Sequence, residues 1–213
     1  MTDLLGVTIT QALQNSWWEI GAVVLGISYL LLAMRESILC WYAAFFSTSI
    51  FLVIFWDVKL YMESALQVYY LAMAVYGWFL WRKGSDDKSS LPISSWHLFR
   101  HIQVILITVV ISGISGYGLS MYTDARFPYL DSFTTWGAII TTYMVARKVL
   151  ENWLYWFVLD GLSIYLYIDR ELYFTAALFA AYLIIVVFGY LTWSRRLSQQ
   201  NSSQQNCSQQ IPV

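Results

Sequence analysis

Seven long apolar runs constrain the fold of this chain more than any other feature. A transmembrane helix needs about 17–25 apolar residues to cross the hydrocarbon core of a bilayer. Such runs lie at about 17–34, 38–56, 60–81, 102–120, 130–147, 152–168 and 172–193. Only 12% of the 213 residues are charged, whereas an ordinary soluble domain has about 25%. The sequence therefore predicts an all-α integral membrane protein with seven transmembrane helices in a lipid bilayer.

The two ends of the chain differ from these runs. Residues 1–16 contain no Lys or Arg, unlike the start of a signal peptide, and we expect a short arm outside the membrane. Residues 197–213 are rich in Gln, Ser and Asn, and we expect a disordered tail because such a segment buries too little apolar surface to fold. Residues 17–196 then form one transmembrane domain.

The basic residues divide unevenly between the two sides that seven spans define. One side holds nine of them: Arg35, Arg82, Lys83, Lys88, Arg100, Arg147, Lys148, Arg195 and Arg196. The other side holds Lys59, Arg126 and Arg170. Cytoplasmic loops carry the excess of Lys and Arg. We therefore predict that the N-terminus lies outside and the C-terminus lies in the cytoplasm.

Two of the spans are similar in sequence. They read 60-LYMESALQVYYLAMAVYGWFLW-81 and 172-LYFTAALFAAYLIIVVFGYLTW-193, and both end in Gly-x3-Trp before basic residues. Upstream of them, Glu36-x4-Trp41 resembles Glu151-x4-Trp156. We interpret this similarity as an internal repeat of three helices.

A fourth helix between the two triplets determines their relative direction. We place the first repeat at about 17–83, the linker helix at about 102–120 and the second repeat at about 130–196. Three helices end on the side opposite to their start, and the linker returns the chain to that first side. The two repeats then run parallel, in a 3+1+3 order that is one known transporter plan.

The sixth span carries a carboxylate where a charge is costly. Five residues share one helical face when successive residues are turned by about 100°, namely Trp153, Trp156, Asp160, Ser163 and Tyr167. The other faces carry Leu154, Phe157, Val158, Leu162 and Leu166. A charge facing lipid at the bilayer centre costs about 2.5–3.5 kcal/mol on insertion scales. The face with Asp160 is therefore expected to look into the bundle or a wet cavity.

Further polar and aromatic residues complete the predicted site. They are Glu63, Gln67 and Tyr70 of the third span, Trp136 of the fifth and Asn152 at the start of the sixth. Several have alternative structural explanations. Asp160 and Gln67 could form hydrogen bonds between helices, Glu63 could be solvated near the outer edge of the membrane, and Asn152 could cap a helix. Trp17, Trp18, Trp81 and Trp193 near span ends are predicted to lie at the membrane interface.

The residue types in this site indicate its ligand. Aromatic faces favour flat rings and cations, a carboxylate favours a permanent cation or N–H donors, and an amide both donates and accepts. A small, flat, cationic heteroaromatic molecule satisfies all three. The sequence thus predicts binding and transport of such a molecule rather than of a sugar or a lipid.

Other function classes lack the residues that they need. A retinal receptor needs a lysine in its last span, and residues 172–193 have none. An ATP-driven pump needs the motif G-x4-G-K-[ST], which does not occur. Cys40 and Cys207 do not have metal-ligand spacing. We expect no catalytic residues, no metal, no cofactor and no nucleic-acid partner. A vitamin-binding subunit of a larger transporter remains an alternative.

Three stretches are distinctive: 67-QVYYLAMAVYGWFLW-81, Asp131-Ser132 and 146-ARKVLENWLYW-156, the last followed by a polar residue at position 160. Together they resemble the PnuC family of vitamin transporters. The resemblance implies a seven-helix 3+1+3 plan, similar to that of SWEET proteins, and assembly as homotrimers in the bacterial inner membrane. It also implies import of an unphosphorylated vitamin (nicotinamide riboside, thiamine or riboflavin) by facilitated diffusion, with trapping by a kinase.

The sequence departs from the nicotinamide riboside members of that family at three positions. Those members commonly have asparagine where Asp160 stands here and another asparagine near Ser47, and their residue at position 63 is often uncharged. Thiamine carries a thiazolium and an aminopyrimidine, whose amino group can donate to a carboxylate. We therefore favour thiamine as the ligand, with nicotinamide riboside as the alternative.

Overall fold

The computed structural model describes residues 18, 20–57, 61–86, 91–123, 126–169 and 173–209. These residues form seven helices, which are α1 (Ile20–Met34), α2 (Leu39–Asp57), α3 (Tyr61–Asp86), α4 (Leu98–Tyr122), α5 (Pro128–Ala146), α6 (Asn152–Asp169) and α7 (Tyr173–Gln209). Each helix overlaps one predicted span, which confirms the all-α class and the helix count for this part of the chain. The predicted arm at 1–16 lies outside the described residues.

Helix α7 is longer than its apolar sequence. It continues to Gln209, so residues 197–209 are helical where the sequence predicts a disordered tail. The chain has neither Gly nor Pro between positions 190 and 211, and Gln is a good helix former. Extending an existing helix is far easier than nucleating a new one, and this explains why a polar segment continues α7.

One face of α4 is apolar and exposed. It carries Ile102, Ile105, Leu106, Val109, Val110 and Ile114, while Thr108, Ser112 and Gly116 are buried on the opposite face. Contiguous exposed apolar surface of this kind marks contact with a membrane or a partner. Helices α4 and α7 are each long and apolar enough to cross a bilayer, whereas α1 and the Leu39–Ile54 part of α2 are apolar but shorter.

The chain divides into two compact units, Met1–Phe79 and Leu80–Val213. Within the first unit, Ser47 Oγ of α2 donates a hydrogen bond to the carbonyl oxygen of Ala22 in α1 at 2.7 Å. Trp78 Nε1 of α3 donates to the Tyr42 hydroxyl of α2 at 3.0 Å. Hydrogen bonds between helices help to hold them together in a bilayer, because lipid supplies no hydrophobic force for their association.

Within the second unit, α4 packs on α5, α5 on α6 and α6 on α7. Small polar groups lie between α4 and α5, where Ser112 Oγ donates to the carbonyl oxygen of Ser132 at 3.4 Å. This consecutive packing places α6 between α5 and α7. Residues of α6 that face either neighbour are therefore buried, and residues on its remaining surface are exposed.

A tryptophan covers a glycine in each unit. Trp41 of α2 packs on Gly77 of α3, and Trp153 of α6 packs on Gly189 of α7. In both pairs the glycine follows the tryptophan by 36 positions. The structure therefore matches Trp41 with Trp153, and the sequence comparison of Trp41 with Trp156 is wrong in register because packing on glycine determines the equivalence.

The turns before these tryptophans also share an uncommon backbone conformation. Glu36 and Lys148 each stand five positions before the tryptophan, with φ angles of 57° and 51°. Residues other than glycine seldom adopt the left-handed region. The same local arrangement thus occurs in both units and supports the interpretation of an internal repeat.

Candidate substrate site on helix α6

Asp160 lies in the middle of α6, and only 5% of its surface is exposed. Within the described part of the chain, its carboxylate has neither a hydrogen bond nor an ion pair. A buried charge without a partner is costly, and polar groups inside membrane helices usually bind a neighbour or a ligand. Asp160 is therefore the residue of α6 with the clearest unused capacity to bind a cation or an N–H donor.

The surroundings of Asp160 follow the predicted helical face. Trp156 and Ser163 are half-buried on the same side of α6. By contrast, three of the five apolar residues predicted on the other faces of this helix are exposed, namely Leu154, Phe157 and Val158. Leu166, also predicted there, is instead buried. Tyr167 belongs to α6, but its side chain lies outside the described structure.

Trp153 is only 1% exposed, and it packs between glycine and tryptophan of α7. A Cβ atom on Gly189 would lie 2.6 Å from Cε3 of the indole ring. The ring of Trp193 meets it edge-on, with 5.4 Å between centroids. Trp153 Nε1 is buried without a hydrogen-bond partner among the described residues. The residue thus joins α6 to α7, and its contact with substrate stays a prediction.

The predicted membrane-interface tryptophans separate into two groups. Trp18 is exposed, whereas Trp81 and Trp193 are buried, and Trp17 lies outside the described residues. Trp81 Nε1 donates to the carbonyl oxygen of Ala146 at 3.0 Å. Other elements of the same unit therefore cover the rings of Trp81 and Trp193, which do not face outward as the exposed rings of an interfacial belt do. Their depth in the membrane stays a prediction.

Two further predicted site residues make structural hydrogen bonds. Asn152 is fully buried, its Nδ2 donates to the carbonyl oxygen of Val149 at 2.6 Å, and its Oδ1 has no hydrogen-bond partner among the described residues. Trp136 is half-buried on α5, and its Nε1 donates to Ser115 Oγ of α4 at 3.0 Å. Trp136 therefore joins α5 to α4, whereas Asn152 binds within its own turn, and a role in binding remains a prediction for each.

The remaining predicted residues belong to the first unit. Gln67 and Tyr70 are half-buried on α3, at positions one turn apart. The side chain of Glu63 lies outside the described structure. Their participation in one site with Asp160 stays a prediction.

Two features of this region were not identified from the sequence. Gly189 allows Trp153 to approach α7, and the repeated Gly-x3-Trp pattern was the available signal for it. Glu151 accepts hydrogen bonds from Ser95 Oγ and from the backbone N–H of Trp96. No spacing signal indicates that contact, because its partners lie more than 50 positions upstream.

The profile of the family described as nicotinamide mononucleotide transporter matches residues 16–195. The chain belongs to this family. The match includes residues of both units, and it covers helices α1 to α6 and α7 as far as residue 195. It confirms the resemblance to PnuC proteins, and membrane transport rather than catalysis is the activity of the family.

Named relatives agree with this assignment along most of the chain. The nicotinamide riboside transporter PnuC of Escherichia coli (strain K12) is 25% identical over 213 residues, covering 88% of this chain and 89% of the relative. The riboflavin/roseoflavin transporter RibM of Streptomyces davaonensis is 25% identical over 190 residues, covering 86% and 88%. These two relatives are named for nicotinamide riboside and riboflavin, so the preference for thiamine finds no support in them.

A solved structure has the same fold. The crystal structure of the vitamin B3 transporter PnuC superposes with a TM-score of 0.70 at 22% identity, covering 92% of this chain and 88% of the other. The described helices of this chain therefore have the PnuC fold.

Proposed function

We propose that this chain transports nicotinamide riboside across the bacterial inner membrane. The observation that carries the proposal is the family match over residues 16–195, together with a relative named for nicotinamide riboside. The buried carboxylate of Asp160 adds a preference for a cationic ligand. Nicotinamide riboside presents a flat pyridinium cation, which a carboxylate and aromatic faces bind well. Riboflavin has no such charge, so Asp160 favours the nicotinamide compound between the two ligands for which the relatives are named.

The proposed site has a core on α6 and a wider set of contributing residues. In the core, Asp160 pairs with the cation, Trp156 stacks on its ring and Ser163 binds a polar group. The wider set comprises Tyr167, Trp153, Asn152, Trp136, Gln67, Tyr70 and Glu63. Residues of the wider set act on the ligand or hold the core in place.

The proposed topology has seven spans in a 3+1+3 parallel-repeat order, with the N-terminus outside and the C-terminus in the cytoplasm. The division of nine basic residues against three supports the orientation. The recurrence of a tryptophan on a glycine, after a turn with positive φ, supports the repeat. We propose a homotrimer as the assembly, on the basis of the family resemblance alone.

The proposed mode is facilitated diffusion, with the imported vitamin trapped by phosphorylation. The chain has no phosphate-binding loop that could bind ATP. Liposomes that contain only this protein should equilibrate labelled nicotinamide riboside and then stop. Accumulation above the external concentration under a proton or sodium gradient would contradict facilitated diffusion. A requirement for a co-purifying ATPase would identify a subunit of a larger transporter.

Thiamine is a second candidate, and Asp160 is the specific observation that favours it. The carboxylate can accept a hydrogen bond from the aminopyrimidine while the thiazolium supplies the positive charge. Titration of the purified protein with nicotinamide riboside, thiamine and riboflavin distinguishes the candidates. We expect the tightest binding for nicotinamide riboside. Tightest binding of thiamine would select the second candidate, and tightest binding of riboflavin would contradict a role of Asp160 in charge recognition.

A further inference from the structure

A short extended segment lies against the turn between α5 and α6. We call residues 91–97 the strap and residues 147–151 the turn. The backbone N–H of Ser94 donates to the carbonyl oxygen of Lys148 at 3.0 Å, and that of Leu150 donates to the carbonyl oxygen of Ser94 at 2.8 Å. They form a parallel bridge between Ser94 and Val149, the one β-bridge in the described part of the chain. Two backbone hydrogen bonds thus fasten the strap.

The carboxylate of Glu151 adds a second fastening. It accepts hydrogen bonds from Ser95 Oγ and, at 3.2 Å, from the backbone N–H of Trp96. His101 Nε2 lies 3.8 Å from it, and His101 Nδ1 lies 2.9 Å from the Tyr155 hydroxyl. The strap and the start of α4 are thereby tied to the first turns of the helix that carries the candidate site.

The turn does not depend on the strap alone. Lys148 has a φ angle of 51° and is 4% exposed, and its ammonium lies 4.7 Å from the centre of the Trp81 ring. Trp81 also donates to the carbonyl oxygen of Ala146. The matching turn at Glu36 has a similar φ angle without a β-bridge among the described residues. The strap is therefore not needed to form a turn of this kind.

The contacts of α6 differ in how easily they can open. Toward α7, Trp153, Gly189 and Trp193 form a buried apolar contact. Toward the strap, the contacts of Glu151 are polar, and Ile93 is the one buried side chain among residues 91–97, whereas Pro92, Ser95 and His97 are exposed. When the strap leaves, water can replace the hydrogen bonds that it makes with Glu151. Regions with few buried apolar contacts open at the lowest free energy. Release of the strap from α6 therefore exposes less buried apolar surface than separation of α6 from α7 would.

We propose that the strap is a releasable latch, which detaches from Glu151 and the turn during each transport cycle so that α6 can move with its bound ligand. The inference rests on the proposed transport function and assigns a moving part to the same site. Glu151 acts here as a positioning residue, because its carboxylate binds the strap. A transporter must expose its site to each side in turn, and a fastening at one end of α6 controls that step.

A disulfide across the bridge tests this proposal. The variant carries Ser94→Cys and Val149→Cys in a Cys207→Ser background. Neighbouring strands lie about 4.8 Å apart, which is within the Cα separation of about 4.4–6.8 Å that disulfides span. In liposomes, oxidation should cause loss of nicotinamide riboside exchange, and dithiothreitol should restore it. The dissociation constant should stay unchanged. Each single cysteine variant is a matched control and should exchange normally under oxidation.

The outcomes separate this inference from the proposed function. Full exchange by the oxidised double variant would overturn the latch. Absence of exchange by the unsubstituted protein would overturn the proposed function and the latch with it. Hydrogen exchange of the unsubstituted protein gives a second measurement that needs no variant. Saturating nicotinamide riboside should alter the protection of residues 91–97 and 147–151, and equal protection with and without it would contradict a latch.

Discussion

The indole ring of Trp153 lies so close to Gly189 that a Cβ atom on this glycine would stand 2.6 Å from Cε3 of the ring. Side chains cannot approach at that distance, so the contact between α6 and α7 requires glycine. Trp41 and Gly77 form the same contact in the first unit. Because lipid is as apolar as a side chain, close packing of small residues stabilises membrane helix pairs.

We expect Gly189→Ala to destabilise the protein. Overpacking of a well-filled contact costs typically about 1–3 kcal/mol, and the added methyl must displace Trp153. The measurement is the unfolding temperature in detergent. Gly113→Ala on α4 is the matched control, since a Cβ atom there meets nothing within 4 Å. Equal unfolding temperatures for the two variants would show that the α6–α7 contact adapts easily.

Asp160→Asn should weaken binding of nicotinamide riboside. The substitution keeps shape and removes the anion, and hydrogen bonds to charged groups contribute about 1.5–3 kcal/mol against roughly 1 for neutral ones. A loss of about 1–2 kcal/mol corresponds to about 5–30-fold weaker binding by titration. Asp169→Asn is the control at the end of α6, where the carboxylate pairs with Arg126 at 3.0 Å. Affinity of this control should stay near the original value.

Two other results of the Asp160→Asn titration are informative. Stronger binding of nicotinamide riboside, together with weaker binding of thiamine, would identify thiamine as the natural ligand. Unchanged binding with a lower unfolding temperature would assign Asp160 to contacts between helices.

Trp156→Ala should weaken binding through loss of ring stacking. Favourable aromatic contacts contribute about 0.5–1.5 kcal/mol beyond buried area, which corresponds to roughly 2–13-fold in the dissociation constant. Leu154→Ala is the control, because Leu154 is exposed on another face of α6. Similar affinity of the two variants would remove Trp156 from the proposed site.

Cysteine labelling tests the proposed topology. In a Cys207→Ser background, Leu5→Cys should react with an impermeant maleimide from outside intact cells, and Ser90→Cys should react only after permeabilisation. The basic residues predict this result, since their excess lies on the side of residue 90. The reverse pattern of labelling would invert the topology.

The number and approximate positions of the helices could be predicted from the sequence because hydropathy is a local property. Runs such as 102–120 and 172–193 have the length and composition of spans whatever they pack against. The helical period was also sufficient to place Asp160 and Val158 on opposite faces of α6. In the structure Asp160 is buried and Val158 is exposed. The polar end of α7 was not predicted, since composition alone does not show that a helix continues from an apolar segment.

Only the tertiary structure decided which aromatic and charged residues lie inside. Trp81 and Trp193 stand near span ends, and this position in the sequence does not distinguish a buried ring from a ring at the membrane interface. Their burial depends on covering residues that lie far away along the chain. Glu151 likewise looks like a residue at a helix start until residues 91–97 are found beside it. Such contacts join segments that are distant in sequence, and the periodicity within one helix carries no information about them. Helical spacing therefore determines the face of the helix on which a residue lies, and tertiary packing determines what that face contacts.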